Sequence, residues 1–511
     1  MRIVSTITLM ALSSWPGEVL AQGAGNIAER VMIDATVFPA ARCNDGSAPR
    51  YSYALASRTT RKWLIFLQGG ASCHDEDTCA NRWFDIDHPR IGALNDPEIG
   101  NHRNMVNADS PRDYTGRGVV DFRTHYGVNP FQDMNRLYVH YCSSDLWSGH
   151  GGTQVPGATF AARWQSIVAY GGAQRFDYLE PPPVLYFSGA DIVTAIVDII
   201  KTGTFKGGGS GAIDDSTRPN DASAEVVLAG SSAGAFGVAS NLDRVARRFR
   251  DPSATGPLPG GLVIPPGVPE VVVYGVMDSA DPAGASPEAL VAAHSTTDSA
   301  TYWGGGDRHN TEVDASCVDS QVRAGGDPDR CFDTGFVLRD HLQTPYFVAE
   351  NSYDPVIHGG AFAGRRIVYL ALYLAGGMSL AEASIQATVR AIADLRSGVT
   401  RATASFGVVQ GNTPGLYIPN YHDDQFANGD PVGVHQLMAA TDWFWNSPSA
   451  LVPGLPSPNL TLRAASRPDQ RSFASALRCF RAARAAPRTV LTDCAHSGTI
   501  DDMRVVNERY R

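Results

Sequence analysis

Short apolar runs alternate with helical periodicities along much of the chain. Tyr51-Ser52-Tyr53-Ala54-Leu55 has the two-residue period of a strand. Lys62-Trp63-Leu64-Ile65-Phe66-Leu67 is an apolar run that stops before Gly69-Gly70, the pattern of a strand buried on both faces. Arg136 to Tyr141, Glu225 to Leu228, Val271 to Tyr274 and Tyr346 to Ala349 repeat that pattern. Between them, Ile192, Val193, Ile196, Val197 and Ile200 recur at helical spacing, and Ala235 to Arg248, Arg365 to Leu374 and Leu380 to Leu395 read as further helices. Strands alternating with helices predict an α/β fold with a mainly parallel sheet covered by helices. The Gly-, Asp- and Thr-rich stretch 294–339 reads as an inserted lid or cap, or as an ordinary surface insertion.

The N-terminus changes the picture of where such a fold is made. Arg2, the mostly apolar run Ile3 to Leu12 and the ending Val19-Leu20-Ala21 have the layout of a signal peptide, residues 1–21. That leaves 22–511 as a single enlarged catalytic-type domain and places the protein outside the cytoplasm, secreted or periplasmic. The eight cysteines agree, because an even count in an exported chain predicts disulfides. No stretch has the roughly 18 uninterrupted apolar residues of a transmembrane helix. A formal net charge of -10 argues against nucleic acid as a partner. Lysine occurs only as Lys62, Lys201 and Lys206, which leaves little scope for Schiff-base chemistry.

Chemistry concentrates in a few segments. Gly230-Ser231-Ser232-Ala233-Gly234 directly follows an apolar strand and directly precedes a helical pattern. A serine on such a strand-to-helix turn exposes its hydroxyl, so Ser232 is the candidate nucleophile and the Ala233 amide a candidate oxyanion donor. The junction Phe66 to Ala71 is the second candidate source of such donors. A hydrolase triad runs Ser, acid, His. Asp354 and Asp278 both follow strands, and His358, His422, His435 and His496 follow Asp354, with His358 too near in sequence to reach round to it easily. Position alone leaves His422 and His435 open. His74-Asp75-Glu76-Asp77 matches no standard zinc or calcium spacing and reads as a solvated loop between Cys73 and Cys79.

Several of these segments together resemble the pectin acetylesterase and Notum-like carboxylesterase family. They are Asp45-Gly46-Ser47, Leu67 to Cys73, Tyr141 to Gly149, Gly230 to Gly234, Asp278-Ser279, Tyr353-Asp354, and His422 before Trp443-Phe444. The string Tyr-Cys-Ser-Ser-Asp-Leu-Trp-Ser-Gly at 141–149 is the most specific and is closer to Notum. The resemblance implies an α/β-hydrolase fold, no metal or other cofactor, a triad of Ser232, Asp354 and His422, and oxyanion donors at Gly70, Ala71 and Ala233. It also favours a Cys43–Cys142 disulfide. The remaining cysteines are expected in local pairs, Cys73–Cys79, Cys317–Cys331 and Cys479–Cys494. Two departures stand out: Ala71 where relatives carry Trp, and Asp423 after the histidine.

The function expected is a serine carboxylesterase acting on an acylated substrate, whether a small molecule, a glycan or a lipidated or otherwise acylated polymer. The rival readings are a secreted binding protein on an inactive hydrolase scaffold, and a polyester depolymerase or peptidase using the same triad.

Overall fold

The computed structural model describes residues 29–56, 58–70, 72–73, 75–84, 105–106, 130–171, 179–203, 216–280, 313–349, 355–384, 386–387, 390, 415–417, 422–423, 432–433, 477 and 480–481. Its centre is an eight-stranded sheet. The strands are β1 (Glu29–Met32), β2 (Arg50–Ala54), β3 (Lys62–Leu67), β4 (Asn135–Val139), β5 (Glu225–Ser231), β6 (Val272–Asp278), β7 (Tyr346–Ala349) and β8 (Gly415–Tyr417). They lie in the order β1-β2-β4-β3-β5-β6-β7-β8. Only β2 runs against the rest; from β4 across to β8 every pairing is parallel. The expected α/β architecture is therefore present. Strand β1 has no counterpart in the apolar pattern, because a four-residue edge strand buries too little to leave a period.

Alternate residues of each strand serve two different cores. Trp63, Ile65 and Leu67 of β3, Val226 and Leu228 of β5, and Tyr346 and Val348 of β7 share one cluster with the apolar stripes of α3 (Gly189–Thr202) and α4 (Ala233–Arg250). On the other face the intervening residues include four aromatic side chains, Phe66, Tyr138, Tyr274 and Phe347. Phe66 stacks on Tyr138 at 5.6 Å, and Phe480 meets Tyr274 at 5.7 Å and Phe347 at 5.4 Å, edge to face. A smaller cluster under α1 (Glu76–Phe84) and α2 (Ala158–Gly171) holds Trp83, Phe84, Phe160, Leu185 and Phe187.

Three of the expected disulfides are present: Cys43–Cys142, Cys73–Cys79 and Cys317–Cys331. Cys479 and Cys494 lie outside the described residues, as do the signal-peptide segment 1–21 and the first part, 294–312, of the inserted stretch. Its remainder folds into α5 (Ala315–Ala324) and α6 (Thr334–Asp340), whose Cys317, Phe336, Val337 and Leu338 join the main core. Of the segment read as a solvated loop, His74 lies outside the described residues, and Glu76 and Asp77 differ from that reading. Glu76 and Asp77 form the first turn of α1, where acidic side chains suit the helix dipole. Glu76 accepts the Thr159 N–H at 2.8 Å and Asp77 the Thr159 hydroxyl at 2.9 Å, joining α1 to α2.

The inserted helices meet the core through two buried carboxyl groups, Asp314 and Asp243. Asp314 caps α5 by accepting from the Cys317 N–H at 2.8 Å, while Asp243 of α4 accepts from the amides of Gln343 at 3.0 Å and Thr344 at 2.7 Å. Burial, with the neighbouring Asp243 charge, pushes Asp314 up to about 7 against the pull of its own Ser316 and Cys317 donors. An aspartic acid whose folded pKa is raised holds a proton that the unfolded chain gives up, so its stabilising contribution is complete below pH 4 and drains away up to neutrality. Asp314→Asn, whose amide replaces that proton permanently, is expected to gain on the wild type by on the order of 2 kcal/mol between pH 5 and pH 8. Urea unfolding of both proteins at the two pH values checks this; a difference independent of pH contradicts it.

Candidate active site

The parallel strands end along one row at their C-terminal edge. Leu67 of β3 pairs with Gly230, Ser231 of β5 with Asp278, Asp278 of β6 with Ala349, and Ala349 of β7 with Tyr417 of β8. In open parallel sheets this edge is where sites form. Ser232 follows the row immediately, Gln68 to Gly70 continue from β3, and Asp354 and His422 each stand five residues beyond their strand.

The elbow at Ser232 is strained and closely packed. Ser232 has φ 56° and ψ -125°, in the left-handed range that a side chain disfavours. Its N–H donates to the Asp278 carbonyl at 2.8 Å, so the end of β6 holds the turn. The flanking glycines are required by contact. A Cβ on Gly230 would lie 2.3 Å from the Gly234 carbonyl oxygen, and one on Gly234 would lie 2.1 Å from that of Leu67. Absence of both side chains thus lets α4 start directly against the end of β3, with Gly234 on the Leu67 and Gln68 carbonyls.

Ser232, at 8% exposure, is buried, as are Ser231 and Ala233 at 1%. The Ala233 amide belongs to the first turn of α4, whose N–H groups have no helical carbonyl to meet and carry the positive end of the helix dipole. Ser231 points the other way and donates its hydroxyl to Asp278 Oδ2 at 2.9 Å. Asp278, weighed above as a triad acid, is fully buried beneath the elbow.

The 141–149 string is a folded knot behind these elements. Ser144, Leu146 and Trp147 all have positive φ, at 52°, 56° and 64°. What holds them is Asp145, fully buried, whose carboxylate accepts from the Ser143 hydroxyl at 2.6 Å and from the amides of Trp147 at 3.0 Å, Gly149 at 3.2 Å and Gly189 at 2.7 Å. Gly189 opens α3, so the same carboxylate sits at that helix's N-terminus. Burial pushes Asp145 up to about 6 despite those donors. Trp147 then bonds both site elements: its indole N–H donates to the Gln68 carbonyl at 3.0 Å, and its carbonyl accepts from Asn241 of α4 at 2.9 Å. The Gln68 side chain accepts from the Tyr141 N–H at 3.0 Å and meets His140 Nδ1 at 2.8 Å. Cys43–Cys142 anchors the knot to the segment before β2.

Of the expected site residues, Ser232, Ala233 and Gly70 are described, and the elbow's Gly234 packs against the Leu67 and Gln68 carbonyls that precede Gly70. Ala71, Asp354 and the rival histidines His435 and His496 lie outside the described residues; His358 lies in α7 (Pro355–Ala375), with its side chain outside them. The His422 backbone pairs with Gly433 in a short ladder, its side chain also outside them. Arg82 was not legible in the sequence. It stands on α1, is buried, and donates from Nη2 to the Gly70 carbonyl and from Nε to the Ser144 hydroxyl at 2.7 Å. A single arginine in a polar helix carries no signal of such contacts. Among the described residues no cluster of three His, Cys, Asp or Glu side chains could hold a metal. No described helix is long and apolar enough to cross a membrane.

Parts of the chain are similar to known proteins. Residues 22–256 match the family Pectinacetylesterase. A palmitoleoyl-protein carboxylesterase NOTUM from Schmidtea mediterranea is 26% identical over 63% of this chain and 49% of its own length. The Homo sapiens protein of that name is 30% identical over 40% of this chain and 30% of its own length. The chain thus spans half or less of these relatives. In fold, a solved structure of the Wnt deacylase Notum from Drosophila aligns over 91% of this chain and 96% of that one, with TM-score 0.51 and 20% identity. The matched residues 22–256 hold both the elbow and the 141–149 knot, so over this part the chain is similar to the pectin acetylesterase and Notum-like proteins, and the solved structure shares its α/β-hydrolase fold.

Proposed function

We propose that this chain is a serine carboxylesterase that works through an acyl-enzyme, and the observation that carries the reading is the strained backbone of Ser232 at the junction of β5 and α4. Strain of this kind, of order 1–3 kcal/mol, persists where the surroundings over-determine it and is concentrated at functional sites. In this mechanism His422 takes the Ser232 proton as the hydroxyl oxygen attacks the ester carbonyl. The tetrahedral oxyanion is met by the amides of Ala233, Ala71 and Gly70, collapse expels the alcohol, and water releases the acid by the same route. Asp354 holds the imidazole tautomer. The topology supports that assignment: neighbouring strands are about 4.8 Å apart, so β7 and β8 end within roughly 10 and 15 Å of β5, a gap that five residues and a side chain from each can close.

The similarity to pectin acetylesterases and Notum proteins and the three disulfides favour an O-acyl group on a glycan, a protein or a small molecule met in an oxidising, extracytoplasmic compartment. Parallel assay of aryl esters, an insoluble polyester and a peptide tests the class. Turnover of the esters alone is expected; turnover of none leaves the inactive-scaffold reading, and of the peptide or polyester its rival.

Acyl preference follows from Ala71. Alanine in place of the indole of relatives removes an apolar wall, and each buried methylene contributes only about 0.8 kcal/mol when its wall is present. Along a series of 4-nitrophenyl esters, kcat/KM is expected to be highest at acetate or butyrate. A steady climb through octanoate to palmitate overturns this expectation.

A further inference from the structure

We infer that Arg82 is a positioning residue for acyl transfer, setting the aim of the oxyanion-binding peptide between Gly70 and Ala71. The inference rests on the proposed use of that peptide's N–H as a donor. Arg82 is only 5% exposed, and its guanidinium spans two structures that meet at the site. One end grips the Gly70 carbonyl and the other, through Nε, the Ser144 hydroxyl at 2.7 Å. Its guanidinium carbon stands 5.8 Å from the centroid of the Tyr141 ring. Ser144 is a fixed post: its φ is 52°, its carbonyl accepts the Cys73 N–H at 3.0 Å, and Asp145 beside it ties down the knot. The helix that carries Arg82 is fastened at the other side by Cys73–Cys79.

The consequence comes from the planarity of the peptide. The carbonyl and the following N–H lie in one plane and point to opposite sides, because rotation about the C–N bond is blocked. Gripping the Gly70 carbonyl therefore fixes the direction of the next N–H. Gly70, with φ 150° and no side chain, would otherwise let that plane turn. A bond from a charged donor is about twice as strong as a neutral one, and it also polarises the peptide so that its N–H is a better partner for a developing negative charge. The effect is exerted on the transition state, which carries the oxyanion, more than on the bound ester, which does not.

The test compares wild type with Arg82→Met, Arg82→Lys, Ser144→Ala and Ser232→Ala. Readouts are kcat and KM on 4-nitrophenyl acetate, the inhibition constant of phenylboronic acid, which forms a tetrahedral anion on a reactive serine, and the melting temperature. Arg82→Met is expected to lose about 100-fold in kcat, with KM changed by less than about threefold and boronate affinity falling in parallel with kcat. Arg82→Lys should be intermediate, and Ser144→Ala, which removes only the post, should move kcat and boronate affinity together by a smaller factor. Were Arg82→Met not to fold, the Lys and Ser144→Ala variants decide by that same parallel. Unchanged kcat, or a loss of kcat that leaves boronate affinity intact, overturns the inference. Ser232→Ala separates it from its foundation: an inactive Ser232→Ala beside a fully active Arg82→Met refutes the role of Arg82 alone, whereas an active Ser232→Ala refutes both.

Discussion

Replacing Ser232 by alanine is expected to lower kcat by roughly four to six orders of magnitude, because the parts of a serine triad act as a unit and the residual rate comes from binding and the oxyanion site. The fold should survive, since one buried oxygen is lost and α4 and the ends of β3 and β6 keep their contacts. Ser232→Gly separates the causes further. Glycine meets φ 56° without steric cost, so this variant should be as inactive as Ser232→Ala yet more stable than wild type by about 1 kcal/mol. Active-site strain released by a glycine would then appear as a higher melting temperature in an inactive protein, the expected stability–activity trade. A Ser232→Gly variant less stable than Ser232→Ala contradicts the claim that the elbow is strained.

The second large effect is expected at the opposite edge of the sheet. Arg481 makes a bidentate pair with Glu225, the first residue of β5, at 2.7 and 2.9 Å, and another with Asp133, just before β4, at 2.7 and 2.9 Å. Tyr274 donates to the same Glu225 at 2.7 Å, and Lys62, which opens β3, reaches Asp133 at 2.9 Å. Burial alone would raise the Asp133 carboxyl, but Arg481 and Lys62 hold it at about 2. Glu225 and Arg481 are nearly out of water, with side chains 9% and 13% exposed. Removing one member of such a pair strands the other, which costs about 3–5 kcal/mol; since Asp133 is half exposed and screened, the lower end applies. Arg481→Met should therefore lose about 3 kcal/mol in urea unfolding, with kcat at 25 °C unchanged because the network lies at the other end of the strands from Ser232. A loss below about 1 kcal/mol would mean the network is no stronger than a surface pair.

These two regions differ in how far they are legible in the sequence. The elbow is local: strand, Gly-x-Ser-x-Gly and helix are contiguous, and the apolar alternation around them is enforced by a sheet with a core on each face. The Arg481–Glu225 pair joins residues 256 positions apart and leaves no period in either segment. Asp145 lies within the string that carries the family resemblance, but its use as an acceptor for four donors depends on Gly189, which the chain supplies 44 residues later. Helix α1 is hidden for a different reason. Its first turn is as polar as a loop, and only contacts with Thr159 and the buried Trp83 and Phe84 distinguish it. The histidine is the reverse case: spacing left His422 and His435 open, and the family resemblance, not local chemistry, favours His422.

The central claim is that Ser232 becomes covalently acylated. Brief reaction of the protein with a fluorophosphonate probe, then digestion and mass spectrometry, reads this directly. The account predicts one modified peptide, containing Gly230 to Gly234 with the adduct on Ser232, and its loss in Ser232→Ala; an adduct on another serine, or none from a protein that still hydrolyses esters, would contradict it.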